Sequence, residues 1–147
     1  MQLQMKGISK NHTTLNATGM RATNQRALIL DIIRKEQGHL DADEVYRQAR
    51  KKLPLLSLST VYRTLRLFKK LDLVEEIHFD EAHHHYEAKQ ATEHHHLFCL
   101  GCGKVVEFTY PLSHHVKRNI AEAEDFDIIE IEMRMTGFCP KCCQDRQ

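Results

Sequence analysis

The stretch Ser59-Thr60-Val61-Tyr62-Arg63-Thr64-Leu65-Arg66-Leu67-Phe68-Lys69-Lys70-Leu71 decides how the first half of the chain is read. Val61, Leu65 and Phe68 stand at i, i+4 and i+7, a spacing that gathers them on one side of an α-helix and predicts a buried stripe. The other side carries Tyr62, Arg63, Arg66, Lys69 and Lys70. Such a surface can enter a major groove, where Arg pairs with guanine and Lys or Tyr meets phosphate. An ordinary solvated helix carries the same residues, so its neighbours must decide. Beyond Leu71, Val74–Phe79 and His84–Ala88 read as strands, with Asp80-Glu81-Ala82-His83 as the turn. Upstream, Thr23 caps a helix running to about Gln37, with Ala27, Leu28, Ile29, Leu30, Ile32 and Ile33 on its apolar side and Gly38 at its end. Asp41-Ala42-Asp43-Glu44 opens another helix, over 42–52, with acidic side chains at the positive end of its dipole. Three helices followed by a two-stranded ribbon make a winged-helix pattern.

Charge divides the chain in the same way. The 147 residues carry a formal net charge of +1. Residues 1–80 hold 14 Lys/Arg against 9 Asp/Glu, or +5, and residues 81–147 hold 7 against 11, or −4. Nine of the eleven histidines lie at or after His78. A basic half joined to an acidic, histidine-rich half predicts two domains with different partners. The boundary is expected near Phe79–Glu87. Residues 1–16 are polar and read as a mobile arm, residues 17–88 as the helical domain and residues 89–147 as the second domain. The latter reads as strand (95–99), turn, strand (104–108), helix (112–124) and strand (127–135), the last with Ile129, Ile131, Met133 and Met135 alternating with Glu130, Glu132 and Arg134. No run of about 18 apolar residues or secretory leader is visible, so a cytoplasmic protein is expected.

Four of the five cysteines form two CxxC units, Cys99-Leu100-Gly101-Cys102 and Cys139-Pro140-Lys141-Cys142. One such turn offers two sulfurs on one side, and a second completes a tetrahedral zinc site. Disulfides suit a cytoplasmic chain poorly. A thioredoxin-like pair would be a single CxxC opening a helix after a strand. Cys143 is left over as a bystander. Just before the first knuckle stands Glu93-His94-His95-His96, where strand alternation puts His94 and His96 on one face and Glu93 and His95 on the other. Two imidazoles at i and i+2 can chelate one ion with carboxylate help; Glu87 and Glu107 are near in sequence, and His39 could come from the helical half. His83, His84 and His85 sit at the wing turn and fit better as surface residues than as ligands.

With these pieces assembled, the chain resembles the ferric uptake regulator family from about Gly19 to Cys142. The resemblance is carried by Arg21-Ala22-Thr23-Asn24-Gln25-Arg26, by Ser59-Thr60-Val61-Tyr62-Arg63-Thr64-Leu65, by the run from His94 to Phe108, and by Gly137-Phe138-Cys139-Pro140-Lys141-Cys142. It implies an α+β protein: an N-terminal winged-helix DNA-binding domain followed by a small α/β dimerisation domain with a four-cysteine zinc site. It further implies a non-enzymatic homodimeric repressor of AT-rich, two-fold symmetric DNA operators. Cys99, Cys102, Cys139 and Cys142 would hold structural zinc. His39, Glu87, His94, His96 and Glu107 match the regulatory divalent-metal site, with ferrous iron favoured and manganese or zinc admissible. Arg21, Ser59, Thr60, Tyr62, Arg63 and Arg66 match DNA-contacting positions. A further site of some members would map to Glu93, His95 and His114, but its fourth position is Ile131 here, leaving the set incomplete. Peroxide-sensing members carry Asp where this chain has Glu87, so metal-responsive repression is expected rather than peroxide sensing. A metal-buffering protein without an operator remains the alternative from another class; DNA titration would expose it.

Overall fold

A computed structural model describes residues 2–36, 38–78, 84–90, 92–128, 131 and 133–145. The chain divides into two compact units, Met1–Lys89 and Gln90–Gln147.

Unit 1 opens with a helix the sequence does not announce, α1 (Gln2–Ala17). The stretch expected as an arm is helical in the structure. α1 carries only a narrow apolar stripe, and polar contacts add to the few side chains it buries. Leu15 is fully buried, and Ile8 packs against the same core. Asn11 is buried, donates its side-chain amide to the Ala27 carbonyl at 3.3 Å, and accepts from the Arg34 guanidinium. Gly7 allows close approach: a Cβ there would stand 2.5 Å from Oδ1 of Asp31, a buried carboxylate paired with Lys35 at 2.7 Å.

α2 (Asn24–Lys35) is capped by Thr23, whose hydroxyl accepts from the Arg26 N–H. All of Ala27–Ile33 is buried, because α1 covers one side of α2 and α3, α4 and the sheet contact it as well. The helix stops at Lys35, short of the expected Gln37: Glu36 is already extended, and Gly38 is not used in a left-handed cap. Gln37 and the turn over 79–83 lie outside the described residues. The chain next forms β1 (Leu40–Asp41), which the sequence did not signal. The Asp41 carboxylate caps α3 (Ala42–Arg50) by accepting from the Glu44 N–H at 2.6 Å. Helix α4 (Leu58–Lys70) buries Val61, Thr64, Leu65 and Phe68, with Ser57 as its cap. Strands β2 (Val74–His78) and β3 (His84–Ala88) form the ribbon, and β1 extends it to an antiparallel sheet in the order β1-β3-β2.

Unit 2 contains β4 (His95–Cys99), β5 (Val105–Phe108), α5 (Leu112–Glu124), β6 (Met135–Gly137) and the short α6 (Pro140–Gln144). The sheet order is β5-β4-β6, with β4 antiparallel to β5 and parallel to β6. Of the strand expected over 127–135, only its last residue belongs to β6, which pairs with Leu97–Cys99. Alternation predicts a surface that a sheet can half-bury, but a strand also needs a ladder partner, and Asp127, Ile128, Ile131, Met133 and Arg134 are outside the strands among the described residues. Ile129, Glu130 and Glu132 lie outside the described residues. No helix among the described residues is long and apolar enough to cross a membrane.

Candidate metal centres and nucleic-acid interface

The two cysteine knuckles converge. The first is a tight turn between β4 and β5: the Gly103 N–H donates to the Cys99 carbonyl at 2.9 Å, and Gly103 has φ +72. The second sets Cys139 as the cap of α6 and Cys142 in that helix's first turn, with Pro140 at its start. A hydrogen bond from the Leu100 N–H to the Gly137 carbonyl, 2.8 Å, ties the knuckles together. Gly101 is required by this approach, since a Cβ there would lie 2.8 Å from Cys142 Sγ.

The ligand atoms of Cys99, Cys102, Cys139 and Cys142 lie within 4.8 Å of one another, and Cys102 Sγ stands 3.8 Å from Cys139 Sγ. A disulfide would need about 2.05 Å, whereas the edge of a tetrahedron with zinc–sulfur bonds of about 2.3 Å is roughly 3.8 Å. The donor set therefore fits zinc. The thiols are also electrostatically divided. Cys99 is drawn down to about 6 by backbone N–H groups, first that of Cys139, whose nitrogen is 3.2 Å from its sulfur. The Cys139 thiol is lowered too, chiefly by the Cys142 N–H. Cys142 is pushed up to about 12, because its proton serves Cys139 and burial opposes further negative charge beside the other sulfurs. A divalent cation would remove that conflict by making thiolates favourable together. Cys143 is exposed and directs its thiol to the Phe138 carbonyl, outside the cluster.

The histidines and carboxylates fall in both units. In unit 1, His39 Nε2 lies 3.2 Å from Glu87 Oε2, with side-chain exposures of 12% and 8%. Directly across the ribbon from Glu87 stands Glu75, which sequence reasoning missed. Like charges opposite one another on a sheet are unfavourable; the Lys89 ammonium, ion-paired with Glu75, offsets part of this, and a cation at Glu87 would offset more. Only the fold's register could reveal the pairing. In unit 2, the rings of His94 and His96 meet edge to face at 5.0 Å, and His96 is the cross-strand partner of Glu107. His95 takes the other face, 3.0 Å from Glu93, with its Nε2 2.7 Å from the Tyr110 carbonyl oxygen. His114 is exposed on α5 and does not close into one three-ligand group with Glu93 and His95.

On α4, Tyr62, Arg63 and Arg66 are exposed opposite the buried stripe. Arg63 reaches back to Thr60 Oγ1 at 3.4 Å, and Ser59 and Thr60 share hydroxyl contacts with the capping Ser57. Arg21 is exposed ahead of α2, and its carbonyl accepts from Arg26.

A capped helix with one buried and one basic face, set beside a ribbon and followed by a thiol-clamped unit, defines a winged-helix regulator with a metal-binding module. Residues 17–136 match the model of the ferric uptake regulator family. The chain is 32% identical over 139 residues to the peroxide-responsive repressor PerR of Staphylococcus aureus, covering 95% of this chain and 93% of that protein. Among solved structures, it resembles the ferric uptake regulator of Pseudomonas aeruginosa with manganese (TM-score 0.73, 26% identity, 88% of this chain and 98% of that one). The Helicobacter pylori ferric uptake regulator shares the fold (TM-score 0.73, 23% identity, 95% and 93% covered). The chain belongs to the ferric uptake regulator family, whose members are metal-responsive transcriptional regulators rather than enzymes.

Proposed function

We propose that this protein represses transcription as a homodimer on two-fold symmetric, AT-rich DNA when a divalent metal, ferrous iron favoured, is held by His39, Glu87, His94, His96 and Glu107. The carrying observation is Glu87, a buried carboxylate against His39 with a second carboxylate, Glu75, facing it across the ribbon. Imidazoles with carboxylates suit iron, manganese or zinc, and a bound ion would add positive charge beside Glu87. His39 and Glu87 belong to unit 1; His94, His96 and Glu107 belong to unit 2. Held to one ion, these side chains would restrain the two units and so the spacing of paired α4 helices in a dimer. Metal then favours the DNA-competent state by its differential affinity for that state. Cys99, Cys102, Cys139 and Cys142 would hold zinc as a structural staple. Support for the dimer comes from unit 2, where the cross-strand pair Leu97 and Val106 is exposed.

His39→Ala tests the proposal. It should abolish metal-dependent operator binding while leaving cysteine-bound zinc and the dimer intact, read by fluorescence anisotropy with ferrous iron, manganese and zinc in separate titrations. Metal-proportional binding by that variant would move the coupling site to Glu93, His95 and His114.

The similarity to PerR supports a second reading, peroxide response. Glu87 rather than Asp speaks against it. Treating the ferrous protein with hydrogen peroxide separates the two readings: loss of DNA binding with oxidised His94 or His96 peptides in mass spectrometry would establish the second.

A further inference from the structure

The two faces of the β2–β3 ribbon carry different chemistry. Register places Glu75 opposite Glu87 on one face, and Glu76 opposite Tyr86 with His78 opposite His84 on the other. On this second face the imidazoles meet, His78 Nε2 to His84 Nδ1 at 2.9 Å with their rings edge to face. Glu76 Oε1 lies 2.7 Å from His84 Nδ1 and 3.8 Å from His78 Nε2. We infer that Glu76, His78 and His84 form a separate metal site on the wing, for a borderline divalent ion such as zinc.

Ligand type and spacing both argue for this. Two imidazoles and one carboxylate are a zinc-binding set that leaves a fourth position open. Bonds of about 2.0–2.1 Å set ligand atoms roughly 3.3 Å apart in a tetrahedron, and the three distances found, 2.7, 2.9 and 3.8 Å, bracket that value. The carboxylate is already oriented: Lys69 Nζ on α4 holds its other oxygen at 2.7 Å, and the Tyr86 hydroxyl donates to Oε1 at 3.3 Å. Partners of this kind fix a ligand for its metal. Exposure rises from Glu76 (14%) through His78 (31%) to His84 (51%), so an ion could enter from the His84 side. His78 and His84 are the outermost described pair of the ribbon. An ion there would staple the wing's outer end, and through Glu76 and Lys69 link it to the exposed face of α4.

The test uses the full-length, zinc-loaded protein carrying His39→Ala and His96→Ala, which weakens the regulatory set. Cobalt(II) is the spectroscopic probe. One further equivalent of cobalt per chain should bind with ligand-field absorption, and amide exchange over 74–78 and 84–88 should slow on loading. Adding His84→Ala, or separately Glu76→Gln, should remove that equivalent and the slowing, with circular dichroism unchanged. The same cobalt stoichiometry with and without His84→Ala would overturn the site. Cobalt binding with no change in ribbon exchange would overturn the staple. Because His39 and His96 are absent throughout and each readout compares the variant with and without His84→Ala or Glu76→Gln, neither outcome depends on the proposed operator switch.

Discussion

The two units are held together by different physics. Unit 1 buries a continuous apolar cluster running from Leu15 through α2, α3 and α4 to Val74 and Tyr86. In unit 2 the only buried hydrophobic position among the described residues is Cys99, itself a member of the thiol cluster. Leu97, Val106, Tyr110, Ile120 and Phe126 are exposed there. Removing apolar surface from water can stabilise unit 1, whereas unit 2, with little buried apolar surface among the described residues, would depend on cross-links. The four thiols, holding the proposed zinc, would supply one, and structural zinc contributes about 10–16 kcal/mol in zinc-finger peptides; a partner subunit covering its exposed apolar side chains would supply another. On the proposed zinc site, the chain joins a domain that folds by burial to one that folds by coordination.

The largest test of this contrast is Cys139→Ser or Cys99→Ser. Each should cost unit 2 its zinc and the protein its dimer, seen by elemental analysis and sedimentation. Unit 1 should keep its helical signal. Full zinc retention in either variant would break the comparison at its root.

Leu15→Ala probes the opposite side. Truncating a fully buried leucine costs about 2–5 kcal/mol, so thermal unfolding of unit 1 should shift down while zinc content holds. An unchanged transition would mean that α1 adds nothing to the core. Arg63→Ala should leave both units intact and weaken operator binding by about 1–3 kcal/mol, the usual value of a lost base contact; unchanged affinity at physiological salt would place the reading face elsewhere. The smallest effect belongs to Ser57→Ala, which removes the hydroxyl accepting from the Thr60 N–H. A lost cap costs about 1 kcal/mol, detectable in chemical denaturation of unit 1 and absent from metal binding.

Much of this was legible because it obeys short-range rules. The Val61, Leu65 and Phe68 stripe, the caps at Thr23 and Asp41 and the two CxxC spacings each involve residues close along the chain. α1 escaped notice because Asn11, Gly7 and Arg34 hold it through polar and close contacts that leave no periodic signature. β6 is shorter than its alternation suggested because strand length depends on a neighbour, and β4 offers it only Leu97–Cys99.

The amino-acid sequence by itself determined the ligand types, the knuckle spacing, the basic face of α4 and the division into a basic and an acidic half, since these follow from residue identity and helical or strand period. Tertiary structure alone decided which side chains meet: Glu75 against Glu87, and His78 with His84 beside Glu76. Those contacts depend on strand register, and a shift of one residue would turn each of them to the opposite face.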